Sequence, residues 1–289
     1  MKIKTFGAKH FTGQLPRIEE GFKELGHEIV DSSGVNLVYA NDENGAREAV
    51  DWLSRTSDYP KVIFNCLDIP EHLFPNYDLK ESARIYQRAD YITAISQTTK
   101  EQLRQFLRIP GGKIKIIYQP TMPLPKPNNK YNFKYLLVGR QNDFNKRAKL
   151  FYEYWQIYDK ATQVCIVGSE NPGFGTWVGI VSTQELSNLY NSTPYVFCGG
   201  KYEGIQLPLI EKLIAGNGFP IGMNDCSASM EFAHEFCCDP NSQSIAEKVL
   251  ELNNNAQSYT ELQIKYQKQY AIQFDSKSVA SKILNLVKV

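Results

Sequence analysis

The sequence contains no apolar run that approaches the ~20 residues of a membrane-spanning helix, so no segment reads as a transmembrane anchor. A secretory leader is not expected either. Met1-Lys2-Ile3-Lys4-Thr5-Phe6-Gly7 is too short and too polar for that, and reads as a first strand. None of the six cysteines forms a C-x-x-C pair, and Cys66, Cys165 and Cys198 sit inside apolar, strand-like runs. Reduced thiols in a cytoplasmic protein are expected rather than a disulfide framework. His234, Cys237 and Cys238 are neighbours in sequence but are not assigned as a metal site. Neither sign of charge is in excess: 32 Lys and Arg face 31 Asp and Glu, a formal net charge of +1. No global field therefore draws the chain to nucleic acid or to a membrane surface. What remains, 289 residues with 42% hydrophobic content, suits one large or two medium domains with real cores.

The chain is organised around residues 202–222, which read as loop, helix and short strand. Gly204 permits a tight backbone in the loop. Pro208 stands where a helix begins, and Leu209, Ile210, Leu213 and Ile214 recur at helical spacing. Gly216 marks the helix end, and 219–222 follow as an apolar strand. A Gly-containing loop feeding a helix N-terminus suits an anion, because free N–H groups and the helix dipole both point at it. Glu203 and Glu211 bracket this loop eight positions apart. Carboxylates beside an anion site make electrostatic sense when they bind hydroxyls, as of a ribose or another sugar. The same residues also describe an ordinary helix whose early acid complements its dipole.

Elsewhere short apolar runs alternate with helical patterns, which predicts an α/β fold with parallel sheets. Strands are expected at 2–6, 36–39, 61–66 and 89–96, the last running into Ser96 as a helix cap. Helices are expected on the Ile18, Phe22 and Leu25 face, at 46–53 and at 97–106, and a further strand at 113–118. Lys100, Arg104, Arg108, Lys113 and Lys115 make this stretch locally basic, as a solvated face or as a contact for an anionic acceptor or surface. Residues 119–131 carry four prolines and read as a linker. The second half restarts with a strand at 133–138, then 163–167, 178–182, a helix at 184–190 and a strand at 194–198. Residues 266–289 read as one or two helices.

Residues 203–216 resemble the E-x7-E motif of the retaining GT-B glycosyltransferases, the family-four-like group. Glu203, Gly204, Leu207, Pro208, Glu211 and Gly216 fall on that pattern in register. Gln206 replaces a loop Gly, Lys212 and Ile214 replace two small helix residues, and Pro220 comes two positions late. Gly139-Arg140 after a strand, with Lys146 beyond, is similar to the family's V-G-R and K-G, though Arg147 replaces the Gly. Residues 89–118 resemble the unit that closes the family's N-terminal domain, and Gly13 lies in a loop that resembles its first glycine loop. Leu67 stands where many members carry His, and His72, a few residues on, is the candidate to replace it.

The resemblance implies a GT-B fold: two Rossmann-like domains with parallel sheets facing across a cleft. The domains are 1–120 on the acceptor side and 132–289 for the nucleotide-sugar, with 121–131 between them and a final helix returning to the first. It implies transfer of a sugar from a nucleotide-diphosphate sugar to a hydroxyl acceptor with retention, the acceptor being a glycan, lipid-linked sugar or small metabolite. Arg140 and Lys146 would stabilise the leaving diphosphate, and Glu203 the sugar. Gly13, Gly204, Ile205, Gln206, Leu207 and Glu211 would bind the donor, Glu211 at the ribose, and His72 the sugar or acceptor. No cofactor or metal is implied, and the sequence has no D-x-D. The alternatives are glycosylation of a nucleic-acid base or protein, which the neutral charge does not favour, and a non-catalytic sugar-nucleotide-binding module.

Overall fold

The computed structural model describes residues 1–8, 14–31, 33–69 and 78–287, so Gly13 and His72 lie outside the described residues. The chain divides into two compact units, Met1–Thr121 with Ile272–Val289, and Met122–Ala271.

In the first unit the elements run β1 (Lys2–Phe6), α1 (Gln14–Glu24), β2 (Glu28–Ile29), β3 (Leu37–Ala40), α2 (Glu43–Leu53), β4 (Lys61–Cys66), α3 (Leu79–Gln87), β5 (Tyr91–Ala94), α4 (Gln97–Gln105) and β6 (Ile114–Ile116). The strands pair in parallel in the order β2-β1-β3-β4-β5-β6. Parallel strands are covered on both faces, which is why all four residues of β3 are buried. The starts of α2, α3 and α4 are fixed locally by side-chain caps. The Asp42 carboxylate accepts the Gly45 N–H at 2.7 Å to begin α2, and the Ser96 hydroxyl accepts the Thr99 N–H at 3.0 Å to begin α4.

In the second unit the order is β7 (Tyr135–Val138), α5 (Ala148–Tyr154), β8 (Val164–Val167), β9 (Thr176–Gly179), α6 (Thr183–Ser192), β10 (Tyr195–Phe197), α7 (Leu207–Ala215), β11 (Phe219–Met223), α8 (Ser227–Ala233), β12 (Cys237–Cys238), α9 (Ser242–Asn254) and α10 (Ala256–Gln273). This sheet is also parallel, in the order β12-β11-β10-β7-β8-β9. The strand order reverses between β7 and β10, and such a reversal leaves a crevice outside the carboxyl ends of the two strands. The proline-rich segment does not run free. Asn128 donates its N–H to Asn188 Oδ1 at 2.9 Å, and Ser187 and Gln184 of α6 donate to the carbonyls of Pro125 and Lys126. The segment is thereby strapped along α6.

After α10, helix α11 (Ser276–Asn285) packs in the first unit against α1. Val279, Ile283 and Leu284 join Ile3, Ile18, Phe22, Leu37 and Ile63 in one apolar cluster. The helices approach so closely at Gly21 that a Cβ there would collide with the Ser276 carbonyl. No helix among the described residues is long and apolar enough to cross a membrane.

Lys212 of α7 is fully buried, where the resembled family has a small residue. Its ammonium donates to the carbonyls of Tyr190 and Thr193, both at 2.6 Å, and to that of Asn217. All three of its protons are used, tying the end of α6 to the end of α7. Burial pushes its pKa down to about 7. The six cysteines are unpaired and buried, and burial pushes the Cys165 thiol up to about 12, so it stays protonated and unreactive.

Candidate functional site

The site is built from the loops that leave β7 and β10, beside the reversal of strand order. Gly139 follows β7 with φ at +118°, and its N–H donates to the Val167 carbonyl at 2.9 Å. Gly168, just past β8, passes so near that a Cβ there would collide with the Gly139 carbonyl oxygen. Two glycines thus let the two loops lie backbone against backbone. The chain then makes a single 3-10 turn, Phe144–Lys146, started by the Asp143 carboxylate, which accepts the Asn145 N–H at 2.9 Å. Arg147 leaves the turn in the left-handed region, φ +53°. That conformation suits the glycine of the resembled motif, and here an arginine holds it.

Asn145 joins the two loops. Its side chain is buried, and Oδ1 accepts the backbone N–H groups of Lys201 at 3.1 Å and Tyr202 at 2.7 Å. Its Nδ2 donates to the Tyr202 carbonyl at 3.3 Å and to Glu203 Oε1 at 3.0 Å. The Lys146 ammonium donates to the same Oε1 at 2.6 Å. A half-buried ion pair repays its desolvation only with added hydrogen bonds, and Asn145 supplies one. Neither loop can shift without breaking this arrangement.

These groups border a cavity of about 240 Å³ lined by Gly139, Lys146, Glu203, Ile205, Gln206 and Leu207, among others. It lies beyond the carboxyl ends of β7 and β10, at the N-terminus of α7. Pro208 sits in the first turn of α7, and Gly216 ends it with φ at +74°. Gln206 is buried. Its Nε2 donates to the Gly200 carbonyl at 2.9 Å and lies 3.3 Å from Cys226 Sγ, so the amide clasps its own loop. Its Oε1 is buried with no hydrogen-bond partner.

The structure brings together Lys146, Glu203, Ile205, Gln206 and Leu207. Gly204 is buried in the same loop but is not on the cavity wall. Arg140 is not on it either: its side chain is 71% exposed and pairs with Asp143 at 3.4 Å. Glu211 is buried behind the wall, accepting the Tyr190 hydroxyl at 2.9 Å and the Met122 N–H at 3.4 Å. Sequence reasoning missed Asn145 and Gln141. Both lie in the polar run between Arg140 and Arg147, where an amide side chain reads as an ordinary turn residue. Among the described residues no group of three or more His, Cys, Asp or Glu could hold a metal ion.

No protein-family model matches the sequence, and no curated protein matches it. Solved structures do match. The Anabaena protein Alr3699/HepE, solved in complex with UDP and glucose, superposes with a TM-score of 0.79 at 15% identity over 99% of each chain. A glycosyltransferase from Rickettsia africae gives 0.74 at 14% identity, covering 99% of this chain and 97% of that one. Sucrose-phosphate synthase from Thermosynechococcus elongatus gives 0.71 at 16% identity, covering 94% and 77%. At these identities the likeness is one of fold: two Rossmann-like parallel units in the GT-B architecture.

Proposed function

We propose that this chain transfers a sugar from a nucleotide-diphosphate sugar to a hydroxyl acceptor, with retention at the anomeric carbon. One observation carries the reading. The Lys146–Glu203 pair borders a cavity at the N-terminus of α7, at the reversal of strand order, in a fold that in Alr3699/HepE is seen with UDP-glucose.

Transfer breaks the bond between the anomeric carbon and the diphosphate and forms one from that carbon to the acceptor oxygen, whose proton passes to the departing diphosphate. On the way negative charge builds on the diphosphate and positive charge on the sugar. Lys146 and the dipole of α7 provide fixed positive charge for the leaving group. The Glu203 carboxylate binds sugar hydroxyls or faces the developing positive charge. Ile205, Gln206 and Leu207 line the cavity and seat phosphate and sugar, with Gly204 shaping the loop behind them. Arg140 is the second cation in this reading, and reaches the diphosphate by leaving Asp143. A surface pair of that length and exposure is worth little, so it yields readily. Glu211 is the ribose contact in this reading, and reaches the ribose by parting from the Tyr190 hydroxyl that it accepts behind the cavity wall. The acceptor is a glycan, a lipid-linked sugar or a small metabolite, met in the cytoplasm.

The test is a thermal-shift and hydrolysis screen against UDP-, GDP-, ADP- and TDP-sugars. One donor is expected to stabilise the protein and to be slowly hydrolysed. Lys146→Met is expected to abolish the shift, and Glu203→Gln to lower hydrolysis more than affinity. Binding without turnover, even with acceptors supplied, makes the chain a sugar-nucleotide-binding module. If no nucleotide sugar binds, the transferase reading falls.

A further inference from the structure

A second cavity, of about 260 Å³, opens beside the first and shares one wall residue with it, Gln141. Its other walls come from Asn142 in the same loop, Lys149 and Tyr152 on α5, and Pro172 and Phe174 in the loop after β8. Tyr152 and Phe174 pack as a tilted pair, centroids 5.2 Å apart, and Trp155 backs Phe174 at 6.2 Å. Tyr152 is 39% exposed, so its ring is open to solvent on this surface.

Gln141 is only 6% exposed, yet its amide has no hydrogen-bond partner among the described residues. A buried amide normally finds partners, because leaving it bare costs about 1–3 kcal/mol. Its atoms are not sealed off from solvent as the Gln206 oxygen is. Gln141 lines both cavities, which points to a ligand there that both accepts and donates hydrogen bonds.

We propose that this second cavity is a saccharide subsite that holds a sugar ring on Tyr152 and Phe174 and reads its hydroxyls with Gln141 and Asn142. A sugar ring has an apolar C–H face that lies on an aromatic ring and a rim of hydroxyls that each donate and accept. Amides match hydroxyls in both senses, and the single cation Lys149 leaves the wall nearly neutral, as an uncharged sugar requires. Continuity through Gln141 sets this ring beside the donor cavity. The subsite therefore holds a non-reacting residue of an oligosaccharide. This extends the proposed function by naming a glycan as the second ligand.

The test is made without nucleotide, so that the two readings fail separately. Maltotriose, cellotriose and triacetylchitotriose are offered to the intact protein, with binding followed by saturation-transfer NMR and calorimetry. At least one is expected to bind, and Tyr152→Ala and Gln141→Ala each to weaken it by about tenfold, the scale of one aromatic or one hydrogen-bonded contact. Tyr152→Ala is expected to leave any thermal shift by a nucleotide sugar unchanged. The subsite is overturned if none of the three binds, or if one binds and both variants keep the wild-type affinity. If a trisaccharide binds and no nucleotide sugar does, the subsite stands and the transferase reading falls.

Discussion

Arg147 grips both oxygens of Asp225 at 2.8 Å while its own backbone sits in the left-handed region at φ +53°. The side chain thus offsets a conformation that an L-residue pays to adopt, about 1–2 kcal/mol. Arg147→Gly relieves the backbone and loses the ion pair, whereas Arg147→Ala loses the pair and keeps the strain. The Gly variant is expected to be more stable than the Ala variant by about 1 kcal/mol, read by urea denaturation. Equal stability of the two would show that the backbone is not strained.

Asn145 gives a second prediction. Asn145→Ala strips the Lys201 and Tyr202 N–H groups and Glu203 of a buried partner. A loss of about 2–3 kcal/mol is expected, together with loss of nucleotide-sugar binding. Asn145→Asp keeps the accepting oxygen but sets a second carboxylate against Glu203. It is expected to retain more stability than the Ala variant and to bind donor no better. Thermal melts with and without donor check both.

The two-loop contact is tested at Gly168. Gly168→Ala drives a Cβ into the Gly139 carbonyl and is expected to cost about 3 kcal/mol. Gly112→Ala, with nothing within 4 Å of the added carbon, is expected to stay within about 0.5 kcal/mol of wild type. Comparable melting temperatures for the two variants would mean that the loops part easily.

Lys212 predicts a pH dependence. Its pKa in the folded chain is about 7, against 10.5 for the free side chain. Between those values the unfolded chain holds a proton that the folded chain has released, so stability from this group rises with pH across that window. Below about 7 both states are protonated and the group adds no slope. Lys212→Met is expected to be less stable, since three carbonyls lose their donor, and to lack the rise above pH 7. Denaturation of both proteins at pH values on either side of about 7 decides it. Parallel curves would show that Lys212 stays charged.

Much of the fold is legible because local chemistry and burial agree. The strand expected at 2–6 is β1 as it stands, and Pro208 and Gly216 frame α7. The 89–96 run and its Ser96 cap appear as β5 and the start of α4. Other features depend on contacts distant in sequence. Nothing in the run Ser227–Ala233 announces α8, and β12 is two residues whose pairing with β11 creates it. In the site, Lys146 and Glu203 belong together by motif and meet by geometry. The outward turn of Arg140 and the burial of Glu211 against Tyr190 depend on neighbours, Asp143 and α6, that no spacing rule names. Asn145 was hidden for the opposite reason: its local role in a turn is ordinary, and its importance comes from residues 56 to 58 positions away.

The backbone contact of Gly21 with Ser276 has a consequence for biosynthesis. The first unit is interrupted after Thr121 and resumes at Ile272. During translation its sheet therefore emerges with the α11 side of α1 uncovered, and waits while about 150 residues are added, on the order of ten seconds. The inserted unit is complete by then. Vectorial synthesis thus favours the inserted unit maturing first and the first unit closing around a helix made long after its strands. The exposed face of α1 in that interval is where a chaperone has something to hold.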